Sequence, residues 1–245
     1  MTLDAEVLLL PALLAFYAKD CLLLLDPDEG VLERRGQGDW LVAFGSRNYT
    51  LFGRQPIVLN PLTPYRPTYR LHWSMSQSRG ATSAWTADSP QALLAMRAWP
   101  VAIALSLFGL VPFALYAHQG LPALLAAVGL TYALILGAVA HAWLRRGQLE
   151  ITGPALGRLS AEVALCPPYA VNVIRKISIL KSPAADLLET ARVRIRGEAL
   201  ATVHRECAEH IARQLETEEE GTPRSAELAY ARQSILDRVR LDEPS

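Results

Sequence analysis

From Trp99 through Leu144 the chain carries no Asp, Glu, Lys or Arg, although charged residues make up 20% of its composition. A run of that length without a charge is not a water-facing surface, so it belongs in lipid. Residues 100–117 would extend about 27 Å as a helix and residues 122–144 about 34 Å, against a hydrocarbon core of roughly 30 Å. Between them, His118-Gln119-Gly120-Leu121-Pro122 offers a Gly to stop one helix and a Pro to start the next. Trp99, Tyr116 and Trp143 stand near the ends, where amphipathic rings favour the headgroup level. These features predict a transmembrane helical hairpin over residues 98–144.

The short loop has no basic residue, whereas Arg79, Arg97, Arg145, Arg146 and Arg158 lie on its two flanks. The bias of Lys and Arg toward the cytoplasm predicts a multi-pass protein of the inner (plasma) membrane, with most of the chain cytoplasmic. Each span carries a stripe of small residues: Ala98, Ala102, Ser106 and Gly109 in the first, Gly129, Ala133 and Gly137 in the second. Small residues let membrane helices approach closely, so these seven are the expected packing positions. His141 continues the second stripe; it reads as an interfacial residue one turn from Arg145, with proton transfer or metal binding as the alternative.

Residues 7–25 form another apolar block, interrupted by Lys19-Asp20 and containing Pro11. It reads as a third membrane span, as a helix at the interface or on the hairpin, or as part of a soluble core, and under either of the first two readings residues 1–25 are membrane-associated. The opening is acidic, with no basic residue before Lys19, unlike a cleavable export signal, and the N-terminus is expected to be retained.

Residues 26–75 change to short runs between turn residues. Segments 31–35, 40–44, 48–52, 56–59 and 68–73 read as strands of a small β-rich cytoplasmic segment, followed by a linker over 76–97. Breaks fall at Gly36-Gln37-Gly38, Gly45-Ser46, Gly53-Arg54 and Asn60-Pro61. Residues 145–245 read as a mostly helical cytoplasmic region. A short helical turn is expected at 160–165, a strand with one charged face at 192–196, and an amphipathic helix over 198–219. A last helix starts with Thr222 as N-cap and Pro223 behind it, burying Leu228, Ala231, Ile235 and Val239. The fold class expected is therefore a mainly α membrane protein with a small β segment.

Chemistry-bearing motifs are sparse. Cys21, Cys166 and Cys207 form no CxxC pair, which argues against a disulfide framework or structural zinc. His204, Cys207 and His210 step by three, fan across about 120° of a helix, and read as packing rather than ligation. A lone Cys166-Pro167 is weak evidence for haem. No P-loop, HExxH or GxSxG is present, and no cofactor or metal is expected. With 24 basic and 24 acidic residues, no global field attracts nucleic acid. Arg66, Arg70, Arg145, Arg146, Arg192, Arg194 and Arg196 are the candidate contacts for anionic lipid or another anion.

The function expected is that of a non-enzymatic inner-membrane subunit or scaffold in a larger assembly, of the secretion, conjugation or envelope kind. Its partners would be membrane or cytoplasmic proteins, anionic lipid, or further copies of itself. The alternative is a membrane-tethered regulator that binds anionic lipid or ligand through a basic face; a membrane enzyme is third.

Overall fold

The computed structural model describes residues 5–35, 39–46, 48–73, 91–117, 120–182, 185–217 and 222–242. The break at Gly36-Gln37-Gly38, most of the linker, His118 and the acidic residues Glu218, Glu219 and Glu220 lie outside them, as does the side chain of Val239. The fold is mainly helical with a small antiparallel sheet, and two helical stretches among the described residues, Gln91–Tyr116 and Leu121–Leu144, are long and apolar enough to cross a membrane. The chain forms two units, each built from three separate stretches.

The first unit takes Met1–Leu22, Val58–Pro67 and Ser89–Lys181. Helix α1 (Ala5–Asp20) is followed by α2 (Gln91–Ala95), α3 (Ala98–Leu105), a π turn (Ser106–Leu110) and α4 (Val111–Tyr116). Then come α5 (Leu121–Leu144), α6 (Arg146–Leu149), α7 (Gly153–Leu165), α8 (Pro167–Ala170) and α9 (Val173–Leu180). Two prolines shape the first long stretch. Pro100 has no N–H and its ring would collide with the Met96 carbonyl, so the helix breaks at 96–97, where Trp99 N–H bonds Met96 O at 3.0 Å. Ahead of Pro112 the backbone takes the π turn, and Val111 N–H reaches back to Ser106 O. Gly120, at φ +84, makes the left-handed step into α5.

The apolar block over residues 7–25 is thus two elements. The helix ends at Asp20, and Leu22–Leu25 is strand β1, paired with β4 (Gln55–Val58). A leucine run carries no turn residue to announce such a change, and only the partner strand decides it. Likewise the turn expected at 160–165 is the end of the longer α7, whose buried Leu156, Leu159 and Val163 line one face.

The second unit takes Leu23–Ile57, Thr68–Asp88 and Ser182–Ser245. Strands β2 (Glu29–Arg34), β3 (Trp40–Phe44) and β5 (Thr68–His72) form an antiparallel sheet in the order β3-β2-β5, with Leu32 opposite Val42 on one side and Tyr69 on the other. The strand expected at 48–52 does not form: Leu51 and Arg54 instead close a tight turn. The strand expected at 192–196 is also absent, because helix α10 (Leu187–Arg194) occupies most of it. Asp186 caps that helix, its Oδ1 accepting Glu189 N–H at 2.9 Å, and this local bond outranks the alternation of Arg with Val and Ile. Helices α11 (Glu198–Thr217) and α12 (Pro223–Asp242) follow, with Leu200, Val203, Cys207 and Ile211 of the first and Leu228, Ala231 and Ile235 of the second in one core. Thr222 caps α12 as expected, its Oγ1 accepting Ser225 N–H at 3.1 Å.

Two glycines allow close packing in this unit. A Cβ on Gly45 would lie 2.4 Å from Gln55 Cβ, which its backbone fixes, whereas one on Gly30 would meet the far end of the buried Leu187 side chain at 2.5 Å and the Phe44 ring at 3.4 Å. Gly45→Ala should therefore destabilise the second unit by about 1–3 kcal/mol, and Gly30→Ala by less. Chemical unfolding followed by circular dichroism checks the order, and equal midpoints for both variants would contradict it.

Candidate functional site

The long apolar helices touch along a narrow seam. Ile103, Leu107, Ile135, Ala138 and Ala142 belong to one buried cluster, and Val111, Ala114 and Ala127 to another. Between the two clusters sits the buried pair Ser106 and Thr131, with hydroxyls 2.9 Å apart. Thr131 also donates to Ala127 O at 2.9 Å, so the proton between the hydroxyls comes from Ser106. Nearer Arg145, Trp99 Nε1–H donates to His141 Nδ1 at 3.0 Å, and the Trp99 ring lies against Gly137, where a Cβ would come within 2.6 Å of it.

The small-residue positions fall in different surroundings. Ser106 and Gly137 are on the seam and Ala102 is half-buried. Ala98, Gly109, Gly129 and Ala133 are exposed, and open space surrounds a Cβ built on either Gly109 or Gly129. Only 22% of the most apolar window of α5 is buried within the chain. Leu125, Leu130, Leu136, Leu105 and Phe113 are all exposed, giving an apolar surface that the described residues of this unit leave uncovered.

A polar centre lies in the same unit. Arg175 of α9 is 2% exposed, and its Nη2 donates to the carbonyls of Asn60 and Thr63, the latter at 3.0 Å. Its Nη1 reaches Asn172 Oδ1 at 3.2 Å and Cys21 Sγ at 4.0 Å. Next to it, Lys176 Nζ lies 2.6 Å from Asp20 and 2.7 Å from Glu162, while Asn172 donates to the other Asp20 oxygen at 3.0 Å. Burial works against the ammonium, but the two carboxylates outweigh it and hold Lys176 above its ordinary value. The donors of this centre are directed at main-chain oxygens and at the carboxylate and amide oxygens beside them. Neither the Arg175 contacts nor the Trp99–His141 pair was anticipated from the sequence.

The candidate anion contacts are divided between the two units. Arg66 is half-buried; Arg145 is exposed and bonds Gln148 at 2.9 Å, and Arg146 lies over the Trp143 ring. In the second unit, Arg70 binds buried Glu29 through Nε at 2.6 Å and through Nη2, which also reaches Asp26 at 3.2 Å. Arg194 stacks over Trp40 with its guanidinium carbon 4.9 Å from the ring centre, while Arg192 and Arg196 are exposed. His204, Cys207 and His210 are buried; His210 stacks on Phe44, and burial pushes the Cys207 thiol far up. Among the described residues no three His, Cys, Asp or Glu side chains gather to hold a metal ion. A cleft of about 430 Å³ is lined by two prolines, Pro27 and Pro223, and by the charged Asp28, Arg224 and Glu227.

Comparison of the chain with family models, with curated proteins and with solved structures found no match.

Two predictions follow from the geometry. Gly137→Ala pushes on Trp99 and should destabilise the first unit by about 1–3 kcal/mol, whereas Gly129→Ala, in open space, should stabilise its helix by up to about 1 kcal/mol. Unfolding midpoints of the two purified variants should move in opposite directions; movement in the same direction would refute the packing described. Arg175→Met removes the guanidinium's bonds to the carbonyls of residues 60 and 63, which keep only their local bonds from the N–H groups of Thr63 and Arg66, at about 1 kcal/mol for each. Limited proteolysis should then cut between residues 58 and 67 first, and an unchanged cleavage pattern would show that Arg175 does not hold that segment.

Proposed function

We propose that this chain is an integral membrane protein anchored by the hairpin of α3–α4 and α5, and that it serves as a non-enzymatic subunit or scaffold in a larger assembly. The observation that supports the anchor is the uncovered apolar surface of α5, 22% buried in its most apolar window and free of charge along its whole length. A core helix of a water-soluble protein buries such a surface. Here a bilayer supplies the missing cover. Trp99, Tyr116 and Trp143 then mark the two interfaces, and Arg145 and Arg146 follow the second span directly. The basic flanks favour a cytoplasmic location for them, with the loop at Gly120 outside, in the inner (plasma) membrane.

Helix α1 is 16 residues, about 24 Å, and ends in the paired Asp20, so it fits an interfacial or bundle-packed helix better than a third span. The scaffold reading rests on the state of the polar side chains: the ion pairs and buried hydrogen bonds described join parts of the same unit rather than converging on a space for substrate. Partner proteins, and further copies of this chain, are the natural occupants of what remains exposed. A regulator that binds anionic lipid through Arg192, Arg194 and Arg196 has less support, since Arg194 is turned onto Trp40.

The chain should stay in the membrane fraction through an alkaline carbonate wash, and Leu130→Lys should impair insertion by about 2.5–3.5 kcal/mol. Release by carbonate would refute the anchor. Reporters fused at Gly120 and at the C-terminus should be active on opposite sides of the membrane, with the C-terminus inside. Mild-detergent purification should recover stoichiometric partner proteins; a lone monomer would refute the scaffold role.

A further inference from the structure

The turn that closes where a strand was expected presents an unusual surface. Leu51 and Arg54 exchange both backbone hydrogen bonds, at 2.7 and 3.0 Å, and the two residues between them have positive φ, Phe52 at +54° and Gly53 at +75°. This is a type I′ turn, whose first central position suits Asn, Asp or Gly and strains a bulky side chain. Phe52 nevertheless holds it and is 90% exposed, with Tyr49 at 72% and Leu51 at 42% beside it. The tip therefore displays three apolar side chains on a backbone conformation that works against one of them, and among the described residues none of the three joins the buried core of the second unit.

The charge around the tip says what would cover it. Between Asp39 and Asp88 the chain has no acidic residue and five arginines, Arg47, Arg54, Arg66, Arg70 and Arg79. Arg70 is engaged by Glu29 and Asp26, but Arg54 is half exposed and its ion pair with Asp26, 3.0 Å long, is also open to water. An exposed pair of this kind is weak, so Arg54 can exchange Asp26 for a lipid phosphate with little loss. Aromatic and leucine side chains at a tip, next to the exposed Arg54 and in a length of sequence that has arginines and no acid, match the anionic headgroup region of a bilayer, where rings settle and cations are attracted.

We propose that the tip formed by Tyr49, Leu51 and Phe52 inserts into the interface of an anionic bilayer, as a second membrane contact separate from the helical hairpin. This rests on the membrane anchor proposed above, and it makes the second unit a membrane-surface element rather than one held only by its tether.

The test uses the full chain in lipid nanodiscs. An environment-sensitive fluorophore is attached at Phe52→Cys in a Cys166→Ser background, Cys21 and Cys207 being buried at 1% and 0% exposure. A parallel sample carries the label at Leu130→Cys. The Phe52 label should emit at shorter wavelength than in the unfolded chain and be quenched by nitroxide-bearing lipids, at least about twofold more in anionic than in neutral discs. Water-like emission without lipid quenching at position 52, with quenching retained at 130, would overturn the tip insertion and leave the anchor standing. Loss of quenching at both sites would remove the anchor as well. A blue-shifted label at 52 that lipid nitroxides do not reach would mean a protein partner covers the tip, and equal quenching in both lipids would overturn the anionic assignment. Phe52→Asn should leave the unfolding midpoint unchanged or higher, because Asn suits this turn; a lower midpoint would show that Phe52 serves the fold.

Discussion

Arg175 is the residue on which the first unit closes. That unit is assembled from three stretches of chain, and this one guanidinium contacts all of them: its own helix through Asn172, the 58–67 segment through two carbonyls, and the first stretch through Cys21. A guanidinium buried to 2% would be costly if its donors were not directed at acceptors, and those of Arg175 reach Cys21 Sγ, Asn172 Oδ1, the carbonyls of Asn60 and Thr63 and the Thr63 hydroxyl. Asp20, Lys176 and Glu162 extend the same centre toward the surface. The apolar helices therefore rest on a polar joint.

The hairpin obeys the same logic on a smaller scale. Apolar contacts alone do little to choose one rotation of a helix against another when lipid is equally apolar on the other side. The Ser106–Thr131 hydroxyl pair and the Trp99–His141 bond do choose, since each is made at one rotation and one height. Gly137 admits the Trp99 ring and so belongs to the same selection.

Much of this was legible in the sequence for plain reasons. A charge-free run with aromatic ends and a Gly-Pro break is a composition signal that survives any detail of packing, and both long helices lie where it put them. Amphipathic α11 and the Thr222 cap were equally visible. Three things were not. Gly129 and Gly137 have the same spacing and residue type, and only the rotation of α5 decides which one meets Trp99. The Arg192, Ile195 and Arg196 region alternates like a strand, yet Asp186 with Glu189 is a helix start, a signal available in the sequence and outweighed there by periodicity. Arg175 was invisible because its chief partners are main-chain carbonyls 112 and 115 residues away, and a carbonyl has no residue signature.

The interleaving of the two units has a consequence for how the protein can be made and divided. The chain passes from one unit to the other and back before it reaches the apolar helices, and the first unit's joint waits for residue 175 while its earlier partners, near residues 21 and 60, have long been synthesised. During that interval Asp20 lacks both Asn172 and Lys176, and the Asn60 and Thr63 carbonyls have only the local N–H groups of Thr63 and Arg66. A cut anywhere between residues 63 and 175 removes the closing residue from all of the earlier segments that depend on it. The two units are a product of the whole chain and have to be studied as one.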